Sequence, residues 1–463
     1  MTLSRREFLL RSGCGALSAA AIASGVERLG MVQAFAQGTS YKALVCIFLG
    51  GGNDGNNLVV PLDSAGYAAY SAARSAAGLA IAQASLLPIT PKSIGRDFGF
   101  HPSLATIHPL FADGKLAVVS NIGPLVQPLT KQDYLGGAPR PYQLFSHSDQ
   151  IAQWQTSVST TQSPTGWGGR VADALPTNAA GYPLITALAG GIFTRGQITS
   201  PLTVAPAPTA LNQLLVINGF GTAADEQARL NAMNYLRTID RNSPMIAGAS
   251  NVTQLAVDLS KAFNVDPVLS TVFPATTLGN QLKQIAKLIK FNLGQGASAL
   301  TRQIFFCSLG GFDTHQGQVN TQVSLLTQVD QAMKAFYDAT VELQVSSQVV
   351  TFTLSDFGRT LQPAGSSGTV GSDHAWGNHH LVMGASVLGG DFYGVPGSNG
   401  TVFPTLQTSG PDDTDTRGRW IPTASVDQYG ATLARWFGVD ETNINNIFPQ
   451  LKNFSIRDLS FLI

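Results

Sequence analysis

The sequence predicts an α/β fold: a mostly parallel central sheet with helices on both faces, and a less regular inserted cap region. Three observations carry this. The strand-like runs at 43–49 and 303–309 are apolar without alternation, the pattern of strands covered on both sides. Helical patterns separate these runs in a strand–loop–helix–strand order. Finally, 44% of the 463 residues are apolar and only 12% are charged, enough apolar surface for one large core.

The elements follow in chain order. The N-terminal stretch has paired Arg5 and Arg6, then Phe8-Leu9-Leu10, a weakly apolar Ala/Gly/Ser run and the A-x-A site Ala34-Phe35-Ala36. This is a twin-arginine export signal over 1–36, leaving 37–463 as a single domain. Residues 43–49 form the first strand and run into "GGGNDGNN". An Ala-rich helix covers 67–80, a second strand 116–120, and "SHSDQIAQWQT" starts a helix capped by Ser148 or Asp149. Residues 175–275 have weak periodicity, Pro-rich turns and a charged helix near 224–240, and form the cap region. Leu282, Ile285, Leu288 and Ile289 make a helical stripe within 278–293. A buried strand at 303–309, a helix at 323–343, a strand in "SQVVTFTLSDFGRT", a strand at 381–390 and an amphipathic helix at 425–439 complete the order. Cys46 and Cys307 lie in apolar strands; a disulfide or two buried free thiols both fit.

Lys+Arg equals Asp+Glu at 28 each, so no basic field favours nucleic acid. No segment of about 18 apolar residues predicts a membrane span. In parallel sheets ligands bind beyond the carboxyl ends of the strands, and three predicted strands end alike. Asp54 follows the first, Asp313 and His315 follow "IFFCSLGGF", and Asp356 follows "VVTFTLS". Shortly afterwards "GSDHAWGNHH" supplies Asp373, His374, His379 and His380. The chain has only 7 histidines, and four of them, His315, His374, His379 and His380, lie in these motifs. Read alone, Asp54 is a turn residue, and His101 and His108 are helix positions. Together the carboxylates and imidazoles are the mixed oxygen and nitrogen ligands of zinc or manganese, or of calcium where oxygens dominate.

"TLSDFGRT" resembles the "SDHG" strand end of the alkaline phosphatase/sulfatase superfamily. "GFDTHQGQ" looks like its preceding Asp/His pair, and "GSDHAWGNHH" is similar to the segment that delivers its last His. With the export signal and "FLGGGNDGNNLVVP", the chain looks like a bacterial exported branch of that superfamily classed as a domain of unknown function. The resemblance implies an alkaline phosphatase-like fold with one or two divalent ions. Asp54 would match the first-strand ligand. Asp313 and His315 would bind one ion, completed by His374 or His379, and Asp356 a second, with Asp373 or His374 filling the place that Phe357 takes from the family's His. Arg359, Arg140 or Arg170 would clamp a tetrahedral anion. Ser146 or Ser148 at a helix turn, beside His147, would match the nucleophile position. The "FDTH" spacing is shorter than the family's, neither cysteine lies in a formylglycine motif, and no G-x-S-x-G elbow follows a strand. The implied activity is a metal-dependent hydrolase or transferase acting on a phosphate, sulfate or related ester, small or polymeric. It would be exported by the twin-arginine translocase to the periplasm or beyond and be free of the membrane when mature. A non-catalytic scaffold or carbohydrate/polymer-binding protein on the same fold is the alternative.

Overall fold

The apolar run after Tyr41 forms β1 (Lys42–Leu49), and in this computed structural model β1 lies inside the sheet. The structure describes residues 41–175, 184–214, 219–263, 265–365 and 369–463. The expected export signal at 1–36 lies outside the described residues.

Eight further strands join β1: β2 (Leu116–Gly123), β3 (Ile185–Ala187), β4 (Leu202–Thr203), β5 (Arg302–Leu309), β6 (Val349–Ser355), β7 (Asn378–Met383), β8 (Phe392–Tyr393) and β9 (Ala424–Ser425). Their order is β8-β2-β7-β6-β1-β5-β3-β4, with β9 also on β2. Each pairing between them is parallel except those of β7, which runs antiparallel between β2 and β6. The expected mostly parallel α/β sheet is therefore observed. The expected strand at 381–390 begins earlier, at Asn378, and ends at Met383.

Alternate residues of β1 feed two separate cores. Val45 and Ile47 pack with helices α2 (Thr277–Leu293) and α3 (Gln318–Glu342). Leu44, Cys46 and Phe48 pack with Trp154 of α1 (His147–Thr156) and with α4 (Val426–Phe437). This two-sided burial is why the strands read as continuous apolar runs. It also settles the cysteines. Cys46 and Cys307 lie on neighbouring strands but in different cores, and both are free thiols.

The region at 175–275 is not purely an insertion, because β3 and β4 extend the sheet beyond β5. Helices Ala224–Leu236 and Pro244–Ala262 follow them, with Tyr235 and Met245 exposed. No helix among the described residues is long and apolar enough to cross a membrane.

Candidate metal centre

Three loops meet at the carboxyl edge of the parallel strands. The first is the glycine loop after β1. Gly51 and Gly52 have φ of +114° and +85°, and a Cβ on Gly51 would stand 2.3 Å from the Asp313 amide nitrogen. A Cβ on Gly52 would meet the Phe357 ring at 2.5 Å. Only glycine allows both the dihedral and the approach. The second loop follows β5 and carries Asp313 and His315. The third follows β6 and leads into a two-stranded hairpin, Arg359–Ala364 paired with Gly371–His374.

Arg359 ties the three loops together. Its side chain is fully buried. Nε donates to Gly52 O at 3.0 Å, Nη1 to Ser372 O at 2.8 Å, and Nη2 to Gly51 O at 2.7 Å and Phe312 O at 3.1 Å. Nη2 also meets Asp313 Oδ1. This corrects the expected substrate clamp. The guanidinium is spent on backbone carbonyls and one carboxylate, out of reach of a ligand.

Asp54, expected as a ligand, is likewise internal. Its side chain is 1% exposed, against 46% for Asp313. Arg74 binds both of its oxygens, at 2.5 and 3.1 Å, and Asn56 N–H and Gln318 Nε2 donate to them as well. Those partners occupy the lone pairs a metal would need. Asp54 caps the short helix Gly55–Leu58.

The groups that do converge are imidazoles around Asp313. His374 Nδ1 lies 2.8 Å from Phe145 O. A carbonyl only accepts, so Nδ1 carries the proton and Nε2 is left with a lone pair. His315 Nδ1 lies 3.1 Å from Asp373 Oδ1, and His147 Nδ1 lies 2.7 Å from Asp356 Oδ2. In each neutral ring the carboxylate fixes the same tautomer. The three Nε2 atoms then face one region. His315 Nε2 stands 2.9 Å from His374 Nε2. Asp313 Oδ1 is 3.1 and 3.3 Å from those two nitrogens, and Asp313 Oδ2 is 3.5 Å from His147 Nε2. His147, Asp313 and His374 offer ligand atoms within 4.8 Å of one another.

This donor set fits a cation. Two atoms bound at about 2.1 Å to one tetrahedral ion stand about 3.4 Å apart, close to the spacings found. The 2.9 Å between the His315 and His374 Nε2 atoms needs a positive charge between two lone pairs, and either a proton on His315 Nε2 or a bound cation supplies it. His147 Nε2 is buried without a hydrogen-bond partner among the described residues, a cost that a bound ion removes. The electrostatics separate His147 from the other groups. Hydrogen bonding to Asp356 raises the His147 pKa, which suits a ring that takes up a proton. Burial pushes the Asp313 carboxyl up, but Arg359 and the imidazoles outweigh it and hold it below the usual range. Burial lowers the pKa of His374, which keeps the ring neutral and available as a ligand.

Four other expected residues sit around or away from this cluster. Asp356 is 1% exposed and accepts from Gly51 N–H and His147, so it orients a ring rather than facing the opening. Asp373 orients His315 and is itself held by Arg417 Nη1 at 2.5 Å. His379 points into the core. Its Nδ1 accepts from Asn121 N–H and Ser120 Oγ, and its ring stacks on Phe403 at 4.6 Å. Ser146 is the N-cap of α1, earlier than the expected Ser148 or Asp149, and its Oγ donates to Asp149 Oδ2 at 2.6 Å. Phe357, which follows Asp356, forms an apolar wall 4.8 Å from the His147 ring and 4.6 Å from that of His374.

The sequence reading placed His147 beside a nucleophile and missed its meeting with Asp313 and His374. Its only signal was the scarcity of histidine in the chain.

A model of the family described as "Protein of unknown function (DUF1501)" matches residues 41–448. No curated protein matches the chain. Among solved structures, Ps i-CgsB in complex with k-i-k-neocarrahexaose is similar at 10% identity, covering 89% of this chain and 77% of that one with a TM-score of 0.35. The PsFucS1 sulfatase from Pseudoalteromonas sp. is similar at 10% identity, 81% and 67% coverage and a TM-score of 0.30. BT1596, a 2-O GAG sulfatase, is similar at 9% identity, 87% and 71% coverage and a TM-score of 0.29.

Proposed function

The chain belongs to the DUF1501 family of proteins of unknown function, and we propose that it is an exported metal-dependent hydrolase or transferase acting on a phosphate, sulfate or related ester. The observation that carries this reading is the 2.9 Å approach of the His315 and His374 Nε2 atoms beside the Asp313 carboxylate. Asp313, His315 and His374 would hold the ion. Imidazole nitrogens outnumber carboxylate oxygens, which favours zinc or manganese over calcium. A bound divalent ion supplies Lewis acidity to an ester oxygen and lowers the pKa of the attacking group.

The chain's own residues supply the proton handling. His147 Nε2 faces the cluster while Nδ1 is held on Asp356, so the imidazole takes a proton from the attacking water or alcohol at Nε2. Asp356 fixes the tautomer and stabilises the resulting imidazolium. Arg417 and Arg419, partly exposed beside Asp373 and His374, complement an anionic ester. Asp54 and Asp356 are satisfied by protein partners, which favours one ion over two. Removal of residues 1–36 through the twin-arginine route would release the mature chain outside the cytoplasm.

The test is metal analysis of the dialysed mature protein together with an ester panel assayed with and without chelator. One bound equivalent and chelator-sensitive hydrolysis are expected. A chain that retains no divalent metal, with hydrolysis indifferent to chelator, sinks the reading.

A second reading rests on the orphaned His147 Nε2. As a fourth ligand, His147 would close the set, and a closed set is the mark of a structural ion; the chain would then be a non-catalytic scaffold or binding protein. His147→Ala separates the two. Retained metal with lost hydrolysis supports catalysis, and lost metal supports the closed set.

A further inference from the structure

The chain that delivers His147 to the cluster is bent against its own side chains. Gln143 and Phe145 have φ of +46° and +71°. Neither is glycine or asparagine, so each holds its left-handed backbone at a steric cost that its surroundings must offset.

The surroundings of Phe145 are specific. Its N–H donates to Gln150 Oε1 at 2.9 Å, which ties it to the first turns of α1. Its ring packs against the apolar cluster of Leu125, Trp376, Ile421 and Phe454. The Arg419 guanidinium lies 5.0 Å over the same ring, and Arg419 Nε donates to His374 O at 2.8 Å. The Phe145 carbonyl, aimed by that left-handed φ, accepts the His374 Nδ1 proton. Two residues later the chain places His147 as the first residue of α1, with Nδ1 on Asp356. One residue thus sets the tautomer of one imidazole and the entry angle of another.

We propose that Phe145 is a positioning residue of the metal centre. Its strained backbone is clamped by Gln150, Arg419 and the apolar cluster, and it fixes both His374 and His147 so that their Nε2 atoms converge. The proposal rests on reading the cluster as a metal site. A phenylalanine present only for packing would behave differently, since its loss would lower stability and leave ligand geometry alone.

Glycine and alanine at this position separate the two roles. Both remove the ring. Only glycine also removes the steric cost of a positive φ. The experiment is a Co²⁺ titration of the metal-free protein followed by visible absorption, with melting of the metal-free chains in parallel. Wild-type protein is expected to bind one Co²⁺. Phe145→Ala and Phe145→Gly are expected to bind about tenfold more weakly or worse, the scale of a lost supporting contact. Phe145→Gly should nevertheless melt above Phe145→Ala, and Phe145→Tyr, which keeps the ring, should restore both affinity and spectrum.

Affinities within twofold of wild type for the glycine and alanine variants overturn the proposal. So does an affinity that simply follows melting temperature across the series. A wild-type chain that binds no Co²⁺ overturns the metal reading itself, which is a separate result.

Discussion

Among single residues, Asp54 and Asp313 teach most by their difference. Each is an aspartate in a glycine-rich loop after a buried parallel strand, and the sequence treats them alike. What separates them is Arg74, which returns from a helix 20 residues on to bind Asp54. A guanidinium with no exposed surface cannot be hydrated, so the pair is obligatory for both partners. Arg74→Met should therefore cost roughly 3–5 kcal/mol, the scale for stranding one member of a buried pair. Urea denaturation of wild type and variant measures it, and a loss below about 1 kcal/mol would show that Asp54 is solvated or ion-bound rather than paired. Asp373 invites the opposite expectation. It is partly exposed and acts on His315, so Asp373→Ala should leave the metal-free melting temperature nearly unchanged. Metal affinity should fall about 10–100-fold. Isothermal titration with Zn²⁺ checks this, and unchanged affinity would remove Asp373 from the site.

At the scale of elements, the sheet was legible because burial on both faces leaves a plain mark: β1 and the centre of β5 are unbroken apolar runs, and β6, although it alternates Thr351, Thr353 and Ser355 with Phe352 and Leu354, is bounded by an aspartate loop like theirs. Their carboxyl ends were legible for the same reason, since topology alone puts Asp54, Asp313 and Asp356 along one edge. Which carboxylates face outward was not legible. That depends on Arg74 and Arg359, whose partners lie up to 308 residues away in the chain. His147 was missed as a member of the cluster for a related reason: α1 reaches the site across the sheet edge, and no local pattern encodes that docking. The glycine loop joins these elements. A side chain at position 51 would carry a forbidden dihedral and a Cβ 2.3 Å from the Asp313 amide. Backbone is the obstacle, so the loop after β5 must shift. Gly51→Ala should cost about 1–3 kcal/mol in strain and also weaken metal binding by displacing Asp313. Denaturation and metal titration on the same preparation test both parts, and a destabilised variant with wild-type affinity would show that Asp313 does not depend on the loop.

For the whole molecule, four buried groups make stability depend on pH, and they act in opposite directions. Burial lowers the pKa of His379 and His380 to about 3 and that of His101 to about 4. Unfolded imidazoles titrate near 6.5. As pH falls from there toward 4, the unfolded chain gains three protons that these sites refuse, and stability is lost. Asp427 works the other way. Burial raises its carboxyl to about 7, so between about 4 and 7 the folded chain holds a proton that the unfolded chain, with a pKa of about 3.9, has released. That favours the folded state on the acid side of the window. Among these four groups the imidazoles win, with a net excess of about two protons on the unfolded chain and a slope on the order of 2.7 kcal/mol per pH unit. Stability should rise steeply from pH 4.5 to 6.5 and flatten above 7. Replacing His380, whose ring lies 4.6 Å from Trp154 and 6.0 Å from Tyr429, by phenylalanine should remove about one proton from the slope. Asp427→Asn should steepen it by a similar amount. Urea midpoints of the metal-free protein across that range decide the matter, and stability that increases on acidification would mean that the histidines are paired or hydrated inside the fold.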